Sequence, residues 1–308
     1  MNILILSIFG VIFILAALYW FPLPGKSFKQ IYAKVDDRLL SALQSFRLEN
    51  ELESITVNAS EWNYLVTGVG DRTVVFLHGM GGGYDIWWQQ ITHFKGDYRI
   101  ISMTYPPIPT LAGLSAGIVA ILDREKIDRA YIVGSSLGGY LAQYLVKNYP
   151  ARIERAVFAN TFPPNHMITK RVGKMKPILP LLPEWMVMRN LKQTTAKAIY
   201  PASGNSELVR AYMMEQSHGM MKKAQFVARF KCVLDYFDSP DIHDLNIPTL
   251  IVEADNDPLV EKELREMLKA TYPSAPVETI RQKGHFPYLN APDDYNRILE
   301  QFFSQKAK

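Results

Sequence analysis

The sequence predicts an α/β protein whose mostly parallel sheet is flanked by helices, with an inserted helical lid and a membrane-spanning helix at its N-terminus. Three observations lead to this prediction. Strand-like apolar runs alternate with helix-like segments, one such run turns abruptly into a helix around Ser136, and residues 3–21 are almost entirely apolar. Strands that alternate with helices assemble into a parallel sheet covered on both faces. A chain of 308 residues is long enough to bury such a core.

The composition is that of an ordinary globular protein, with 48% hydrophobic and 21% charged residues. A net charge of +4 without basic tracts argues against nucleic acid as a partner. The single cysteine, Cys232, excludes an intramolecular disulfide, a zinc cluster and a CxxC redox motif. We expect Cys232 to be buried, because it lies in a segment with helical periodicity.

The N-terminal segment 1–25 contains no charged side chain, and its apolar run has the length of a bilayer-spanning helix. Tyr19 and Trp20 lie where interfacial aromatic residues are expected. A cleaved signal peptide is the alternative, but the segment lacks a basic start and a small-x-small cleavage site. We therefore predict an uncleaved single-pass anchor. The lysines that follow it predict that the C-terminal body faces the cytoplasm, by the positive-inside rule.

Residues 26–50 are predicted to form an amphipathic helix beside the membrane. Apolar side chains recur at helical spacing from Ile31 to Phe46, with charged residues between them. Such a helix can pack on the body of the protein or lie among lipid headgroups, and the sequence leaves both open.

Two regions, 51–164 and 234–308, contain the strand and helix signals of the core. Strands are predicted at 54–57, 64–66, 73–77, 98–103, 130–133, 153–160, 249–253 and 277–281. Helices are predicted at 112–122, 261–269 and 293–303.

Between these regions, residues 165–233 are predicted to form the helical lid. This stretch is interrupted by prolines and holds 8 of the 12 methionines. Its 12 lysines and arginines against 3 glutamates give it a balance of +9. Beside an anchor, such a charge would favour anionic lipid surfaces.

A sharp strand-to-helix turn is predicted at Gly134-x-Ser136-x-Gly138. Small neighbours permit a strained backbone at Ser136, so its hydroxyl would stand above the strand ends beside the first free N–H groups of the helix. An earlier strand ends in His78-Gly79-Met80 followed by three glycines, where backbone can approach a ligand closely. No Lys-Ser/Thr follows and no GxGxxG spacing is present, which argues against nucleotide binding.

Two later strand ends supply the residues that a serine nucleophile needs. Asp255 and Asp257 follow one strand, and His285 follows the next. A serine hydroxyl needs an imidazole to take its proton, and the imidazole needs a carboxylate to fix its tautomer. The order serine, aspartate, histidine therefore predicts a catalytic triad, in which either aspartate can be the acid.

From about residue 50 to its end, the chain resembles the α/β hydrolases. The resemblance lies in the HG at 78–79, the GSSLGG at 134–139, the ADNDPLV at 254–260 and the GHF at 284–286. The segments SLGGYLAQ and GHFPYL are similar to those of maspardin-like proteins. The resemblance implies an α/β-hydrolase fold with Ser136 as nucleophile and His285 as general base.

The resemblance also assigns the remaining roles. The backbone N–H groups of Met80 and Leu137 would form the oxyanion hole. Asp257 matches the position of the family's acid, Asp255 is the alternative acid, and His78 is expected to be structural.

The predicted function is that of a membrane-anchored serine hydrolase that cleaves carboxylic esters through an acyl-enzyme. The lid and an early helix would line a pocket for an apolar ester or lipid-like substrate, with Trp87, Met167, Met186 and Met213 as its candidate residues. Neither a metal nor a cofactor is predicted. Alternatives are a thioesterase, an acyltransferase, a carbon–carbon hydrolase or a non-enzymatic maspardin-like binding protein.

Overall fold

The centre of the molecule is an eight-stranded sheet. The structure is a computed structural model. It describes residues 7, 9–10, 13–14, 16–17, 19–21 and 25–305. The strands are β1 Glu53–Val57, β2 Ser60–Thr67, β3 Thr73–Leu77, β4 Arg99–Thr104, β5 Ala130–Ser135, β6 Ile153–Ala159, β7 Thr249–Ala254 and β8 Val277–Ile280. Their order across the sheet is β1-β2-β4-β3-β5-β6-β7-β8. Strand β2 is antiparallel to β1 and β4, and all the other neighbouring strands are parallel. The mostly parallel sheet is as predicted.

The helices cover both faces of the sheet and connect its strands. From residue 25 onward they are α1 Phe28–Ile31, α2 Asp37–Glu49, α3 Trp88–Phe94, α4 Leu111–Arg124, α5 Leu137–Asn148, α6 Met167–Val172, α7 Met175–Ile178, α8 Glu184–Thr194, α9 Tyr200–Ala202, α10 Glu207–Glu215, α11 Lys223–Val233, α12 Lys262–Thr271, α13 Pro287–Asn290 and α14 Pro292–Ser304. Short 3-10 helices lie at Tyr84–Trp87, Pro150–Arg152 and Leu179–Leu181, and π-helical turns lie at Thr195–Ile199 and Gln216–Met220.

Strand β3 shows why the sheet is buried on both faces. Val74 and Phe76 face one hydrophobic cluster, and Val75 and Leu77 face the other. Alternate side chains of a strand point to opposite faces, so an unbroken apolar run fits a strand with helices on both sides. All five residues of β3 are buried, as are all six of β5.

The predicted transmembrane helix over residues 1–25 is wrong. Among the described residues, the structure has no helix with both the length and the apolar character needed to cross a membrane. Spanning a bilayer takes about 20 consecutive apolar residues in one helix. The predicted single-pass anchor, membrane localisation and cytoplasmic orientation are corrected with it. Positions 1–6, 8, 11, 12, 15, 18 and 22–24 of the predicted span lie outside the described residues.

The segment 26–50 forms two helices, α1 and α2, where one was predicted. The break occurs because Asp36 caps α2, accepting hydrogen bonds from the backbone N–H groups of Arg38 and Leu39. The apolar side chains of both helices join the main hydrophobic cluster, including Ile31 and Leu43. These helices therefore pack on the body of the protein, which answers the question that the sequence left open.

The chain between β6 and β7 contributes helices α6 to α11 and, among the described residues, no strand. Helix α10 packs into the main cluster through Leu208, Val209 and Tyr212. The earlier part of this insert leaves several apolar side chains exposed, among them Ile178 and Leu181. The two halves of the insert thus differ in how firmly they pack on the sheet.

A buried ionic cluster joins three separate parts of the fold. Arg47 of α2 donates through Nε to Asp85, 2.7 Å away, and through both terminal nitrogens to Glu215 of α10, at 2.9 and 2.8 Å. Tyr32 donates to Glu215 and Tyr212 donates to Asp85. Burial lowers the pKa of Arg47, but the hydrogen bonds and charges of Glu215 and Asp85 outweigh burial and raise it. The cluster ties the N-terminal helices and α10 to the turn that follows β3.

We expect Arg47→Met to lower the free energy of unfolding by about 3–5 kcal/mol, because it leaves two buried carboxylates without their cation. Urea unfolding followed by circular dichroism would measure the change. Arg297→Met is the matched control, since Arg297 pairs with Asp294 in a bridge whose side chains are 59% and 57% exposed, and such pairs contribute at most about 1 kcal/mol. Equal losses in the two variants would contradict a stabilising role for the cluster.

Candidate active site

Ser136 lies at a strained turn between β5 and α5. Its backbone has φ 57° and ψ −121°, a conformation uncommon for any residue other than glycine. The turn requires small neighbours: a Cβ at Gly134 would lie 2.1 Å from the carbonyl oxygen of Gly138, and a Cβ at Gly138 would lie 2.1 Å from that of Leu77. The turn has the geometry of a nucleophile elbow, with Ser136 at its tip.

His285 and Asp257 meet in the interior, next to the ends of β8 and β7. Nδ1 of His285 lies 2.9 and 2.8 Å from the two carboxylate oxygens of Asp257, and their side chains are 3% and 0% exposed. Asp257 also accepts from the backbone N–H groups of Leu259 and Val260, at 2.8 and 3.0 Å. With the proton of Nδ1 directed at the carboxylate, Nε2 of His285 is the nitrogen that can accept a proton.

Asp255, the alternative acid, lies elsewhere on the same turn. Its carboxylate is exposed and accepts from the backbone N–H of Gln282, 2.7 Å away. This contact links the turn after β7 to the residues that follow β8. The geometry therefore brings Asp257, and not Asp255, to the imidazole.

The end of β6 connects the turn of Ser136 to the acid and the base. The N–H of Ser136 donates to the carbonyl of Ala159 at 2.9 Å, and the hydroxyl of Thr161 donates to the carbonyl of Ser136 at 2.7 Å. Between them, the amide nitrogen of Asn160 donates to Asp257 at 2.9 Å and to the carbonyl of Gly284 at 3.4 Å. Three consecutive residues thus contact the backbone of Ser136, the carboxylate of Asp257 and the residue that precedes His285.

The pKa of Asp257 is lowered by its surroundings. Burial raises it, but the charge and hydrogen bond of His285 and the hydrogen bonds from Asn160 and the N–H of Leu259 lower it by more. The carboxyl therefore stays ionised at a lower pH than an ordinary aspartate would.

The loop after β3 lies against Ser136. A Cβ at Gly79 would be 3.0 Å from the Cβ of Ser136. Nδ1 of His78 donates to the carbonyl of Gly79 at 2.6 Å, and Nε2 accepts from the N–H of Tyr105 at 3.2 Å. Burial, and secondly the charge of Arg229, lower the pKa of His78 well below its usual value, so the ring is neutral and can make both bonds. This arrangement gives His78 the structural position that the resemblance implies.

The predicted oxyanion-hole groups belong to the loop after β3 and to the first residue of α5, the two segments that meet at Ser136. Within residues 25–305, the N–H groups of Met80 and Leu137 donate no hydrogen bond to the protein. Leu137 is the first residue of α5, where the free N–H groups and the helix dipole favour an anion. The peptide between Gly79 and Met80 is trans, so the bond from His78 to the Gly79 carbonyl directs the Met80 N–H the opposite way.

The predicted pocket residues occupy different environments. Trp87 is fully buried and stacks on Tyr288 with ring centroids 4.1 Å apart, so it lies in the core. Met213 is buried, with its methyl group 2.4 Å from where a Cβ of Gly81 would lie. Met167 packs at the edge of a core cluster and Met186 is 40% exposed. Of the four, Met213 is the residue that the structure places against the glycine-rich loop.

The insert also covers the loops that carry the acid and the base. The side-chain amide of Asn256 donates to the carbonyl of Ala202, and that of Asn290 donates to the carbonyl of Ser203. A Cβ at Gly284 would approach the backbone of Ala202 within 2.9 Å. Helix α9 therefore lies directly over the segment that precedes His285.

Two residues of this site were missed from the sequence. Asn160 was included only as the last residue of a predicted strand, and Arg229 only in the charge count of the insert. Arg229 donates to the carbonyls of Met80 and Gly82 at 2.8 and 3.0 Å. An arginine among the apolar positions of a predicted helix was the available signal, and nothing in the local pattern marked Asn160.

The chain belongs to the alpha/beta hydrolase family, whose model matches residues 74–298. This match confirms the resemblance seen in the sequence. It covers the elbow, the turn with both aspartates and the histidine loop, so the residues assembled above lie inside the family's own fold.

Curated relatives are distant but cover most of the chain. A putative carbamate hydrolase, RutD, from Caulobacter sp. (strain K31) is 23% identical over 77% of this chain and 92% of its own. Maspardin from Danio rerio is 23% identical over 74% of this chain and 72% of its own. A 2-hydroxy-6-oxononadienedioate/2-hydroxy-6-oxononatrienedioate hydrolase from Burkholderia vietnamiensis (strain G4 / LMG 22486) is 25% identical over 78% and 90%.

The fold is shared with solved structures. A hydrolase from Pseudomonas aeruginosa PA01 superposes with a TM-score of 0.69 at 20% identity, covering 82% of this chain and 98% of that one. At this identity the likeness concerns the fold alone.

We expect Asn160→Ala to lower the free energy of unfolding at pH 7 by about 2 kcal/mol, because a buried carboxylate loses a charge-assisted hydrogen bond. Since the pKa of Asp257 is lowered in the folded state, its stabilisation is present above the unfolded value near 4 and is lost as the pH falls through the folded value. The difference between the variant and the wild type should therefore shrink below about pH 4. Urea unfolding at pH 7 and pH 3 would measure it.

The matched control is Asn148→Ala, because that exposed amide donates only to the carbonyl of Tyr144 at the end of α5. Asn160 has φ 42°, so alanine there adds backbone strain, but strain does not depend on pH. A stability difference that stayed constant from pH 7 to pH 3 would show that the Asn160 amide does not stabilise the ionised carboxylate.

Proposed function

We propose that the protein is a serine hydrolase that cleaves carboxylic esters through an acyl-enzyme on Ser136. The observation that carries the proposal is the buried bond from His285 to both oxygens of Asp257, held at the sheet edge where Ser136 forms its strained turn. A carboxylate paired in this way fixes the tautomer in which Nε2 is free to act as a base. Membership of the alpha/beta hydrolase family supports the same chemistry.

In the first half of the proposed reaction, Ser136 Oγ attacks the ester carbonyl carbon while His285 Nε2 takes the serine proton. The carbonyl oxygen becomes an oxyanion and accepts hydrogen bonds from the N–H groups of Met80 and Leu137. The imidazolium then gives its proton to the departing alkoxide, and the tetrahedral intermediate collapses to an acyl-enzyme and an alcohol.

In the second half, His285 takes a proton from water, whose oxygen attacks the acyl carbon of the ester on Ser136. The same N–H groups bind the second oxyanion. Collapse of this intermediate releases a carboxylic acid and returns the proton to Ser136 Oγ. Asp257 stabilises the imidazolium in both halves and remains ionised throughout.

A second candidate function is hydrolysis of a carbon–carbon bond by the same three residues. It is favoured by the similarity to the Burkholderia vietnamiensis protein, whose name specifies an oxo-dienedioate substrate.

A non-enzymatic role is the third candidate, in keeping with the distant similarity to maspardin. Assays with esters and with such an oxo acid, run on one preparation, would separate the three: turnover of either assigns the substrate class, and turnover of neither favours binding.

We expect Ser136→Ala and His285→Ala each to abolish turnover of an aryl ester, and Asp257→Asn to lower kcat by roughly three to four orders of magnitude through loss of the correct tautomer. Initial rates with 4-nitrophenyl butyrate, together with circular dichroism to verify folding, would test this.

Asp255→Asn is the matched control, because Asp255 lies two residues from Asp257 on the same turn. Asp255 accepts from a backbone N–H, whereas Asp257 contacts the imidazole of His285. It should retain activity within about tenfold of the wild type, since a turn contact of this kind orients no catalytic group. A larger loss in Asp255→Asn than in Asp257→Asn would transfer the acid role. Turnover by Ser136→Ala at the wild-type rate would exclude the proposed nucleophile.

We propose further that the preferred substrate has an apolar acyl chain. Support comes from Met213, whose flexible, polarizable side chain ends beside Gly81 of the loop that holds the proposed oxyanion donor. Other apolar residues of α10, among them Val209 and Tyr212, belong to the same hydrophobic cluster as Met213.

We expect kcat/KM for 4-nitrophenyl esters to rise from acetyl to medium-chain acyl groups, by up to about fourfold for each methylene until the pocket is full. Met213→Ala should flatten this series. Met186→Ala is the control and should leave it unchanged, because Met186 is 40% exposed. A preference for acetyl esters in all three proteins would point to a small-ester hydrolase.

A further inference from the structure

Arg229 is a buried cation without an acidic partner in the described part of the chain. It belongs to α11, the last helix of the insert, and is 1% exposed. Its Nη1 donates to the carbonyls of Met80 and Gly82, and its Nη2 donates to the carbonyl of Tyr105 at 3.4 Å. The guanidinium also lies 5.8 Å from the centre of the Tyr105 ring. All these partners are neutral groups.

Burying such a charge costs free energy, so a buried arginine needs an interaction that offsets this cost. Burial lowers the pKa of Arg229 to about 10, although nearby Tyr105, Tyr212 and Cys232 act in the opposite direction. The group is still protonated at neutral pH. Carbonyl dipoles offset part of the cost, and an anion that forms nearby during a reaction would offset more.

The carbonyls that Arg229 binds are those of the glycine-rich loop beside Ser136. All peptide bonds in the described chain are trans, so each N–H points away from the carbonyl of its own peptide. Binding the carbonyls of Met80 and Gly82 therefore directs the N–H groups of Gly81 and Gly83 away from the guanidinium. Together with the bond from His78 to the Gly79 carbonyl, this fixes the orientation of three peptides in the loop.

We propose that Arg229 is a positioning residue that holds this loop in its anion-binding form, and that its positive charge favours the negative charge on the reacting carbonyl oxygen. The inference rests on the proposed function and adds that the insert supplies part of the oxyanion-stabilising machinery. Because α11 carries the guanidinium, any displacement of this helix would weaken the oxyanion hole without touching Ser136 or His285.

A purely structural role is the alternative, and Arg155 provides the comparison. Arg155 is also buried, donates to the backbone carbonyl of Gln305 and lies 5.5 Å from the centres of the Tyr131 and Phe302 rings. It lies near the start of β6, at the opposite end of that strand from Asn160. Substitution of Arg155 should therefore affect stability and leave oxyanion binding unchanged.

The test compares a charged and a neutral inhibitor. Butylboronic acid adds to a serine: the electron pair of Ser136 Oγ forms a B–O bond, the serine proton passes to His285, and the boron becomes a tetrahedral anion. The butyl ether of 4-nitrophenol resembles the ester substrate but acquires no charge. We would measure both inhibition constants, kcat and KM in the wild type, Arg229→Met, Arg229→Lys and Arg155→Met.

For Arg229→Met we expect a roughly 100-fold lower kcat and a roughly 100-fold higher inhibition constant for the boronic acid, with KM and ether inhibition within about threefold of the wild type. Arg229→Lys keeps the charge but not the fork of donors, so its losses should be smaller, about tenfold. Arg155→Met should change neither inhibition constant, whatever its melting temperature.

An unchanged boronic acid constant in folded Arg229→Met would overturn the proposal, as would a parallel weakening of both inhibitors. If Arg229→Met does not fold, the inhibition constants of the boronic acid and of the ether are compared in Arg229→Lys and Arg229→Gln instead. Failure of the proposed function would look different, because the wild type itself would then neither hydrolyse the ester nor bind the boronic acid.

Discussion

The structure depends on a close approach between the end of β3 and the first turn of α5. A Cβ on Gly138 would lie 2.1 Å from the carbonyl oxygen of Leu77, so the helix can begin there only without that atom. This contact sets the loop after β3 against Ser136 and forces the serine into its strained backbone conformation. Strain of this kind costs about 1–3 kcal/mol and persists only where the surrounding structure imposes it. Here the buried strands β3 and β5 provide that structure.

Around this turn, polar side chains from distant parts of the chain align the remaining groups. Asn160 ties the end of β6 to Asp257, His78 fixes the first peptide of the loop, and Arg229 fixes the next ones from the insert. These side chains are buried, where a hydrogen bond is strong and an unpaired polar group is costly. These hydrogen bonds hold the carboxylate and the loop peptides in fixed orientations. The proposed chemistry needs this preorganisation, because its N–H donors must face the oxyanion before the charge develops.

The sheet and the candidate triad could be predicted because their signals are local. The run from Thr73 to Leu77 is a strand in both the prediction and the structure, and Ser136 and His285 each follow a strand with small residues beside them. Asn160 could not be recognised, because nothing near it in the sequence marks it and its partner Asp257 lies 97 residues away in the chain. Arg229 offered one local signal, an arginine among apolar helix positions, but its partner Met80 lies 149 residues away. The contacts of both residues arise from packing across the sheet edge, which the local sequence does not specify.

The N-terminal prediction rested mainly on hydropathy, which measures how readily a stretch leaves water. Helices α1 and α2 follow the N-terminal segment 1–25, and their apolar side chains pack in the core. Arg47 of α2 also pairs with Asp85 and Glu215. One amphipathic helix was predicted there; the structure has two, and their apolar side chains pack on the protein body.

The most direct measurement of the central claim is the site at which a fluorophosphonate probe reacts. The probe phosphonylates an activated serine with loss of fluoride, and peptide mapping by mass spectrometry locates the adduct. We predict a single adduct on Ser136 in the wild type, far slower labelling in His285→Ala, and no adduct in Ser136→Ala. Labelling at another serine, or no labelling of the folded wild type, would contradict the account.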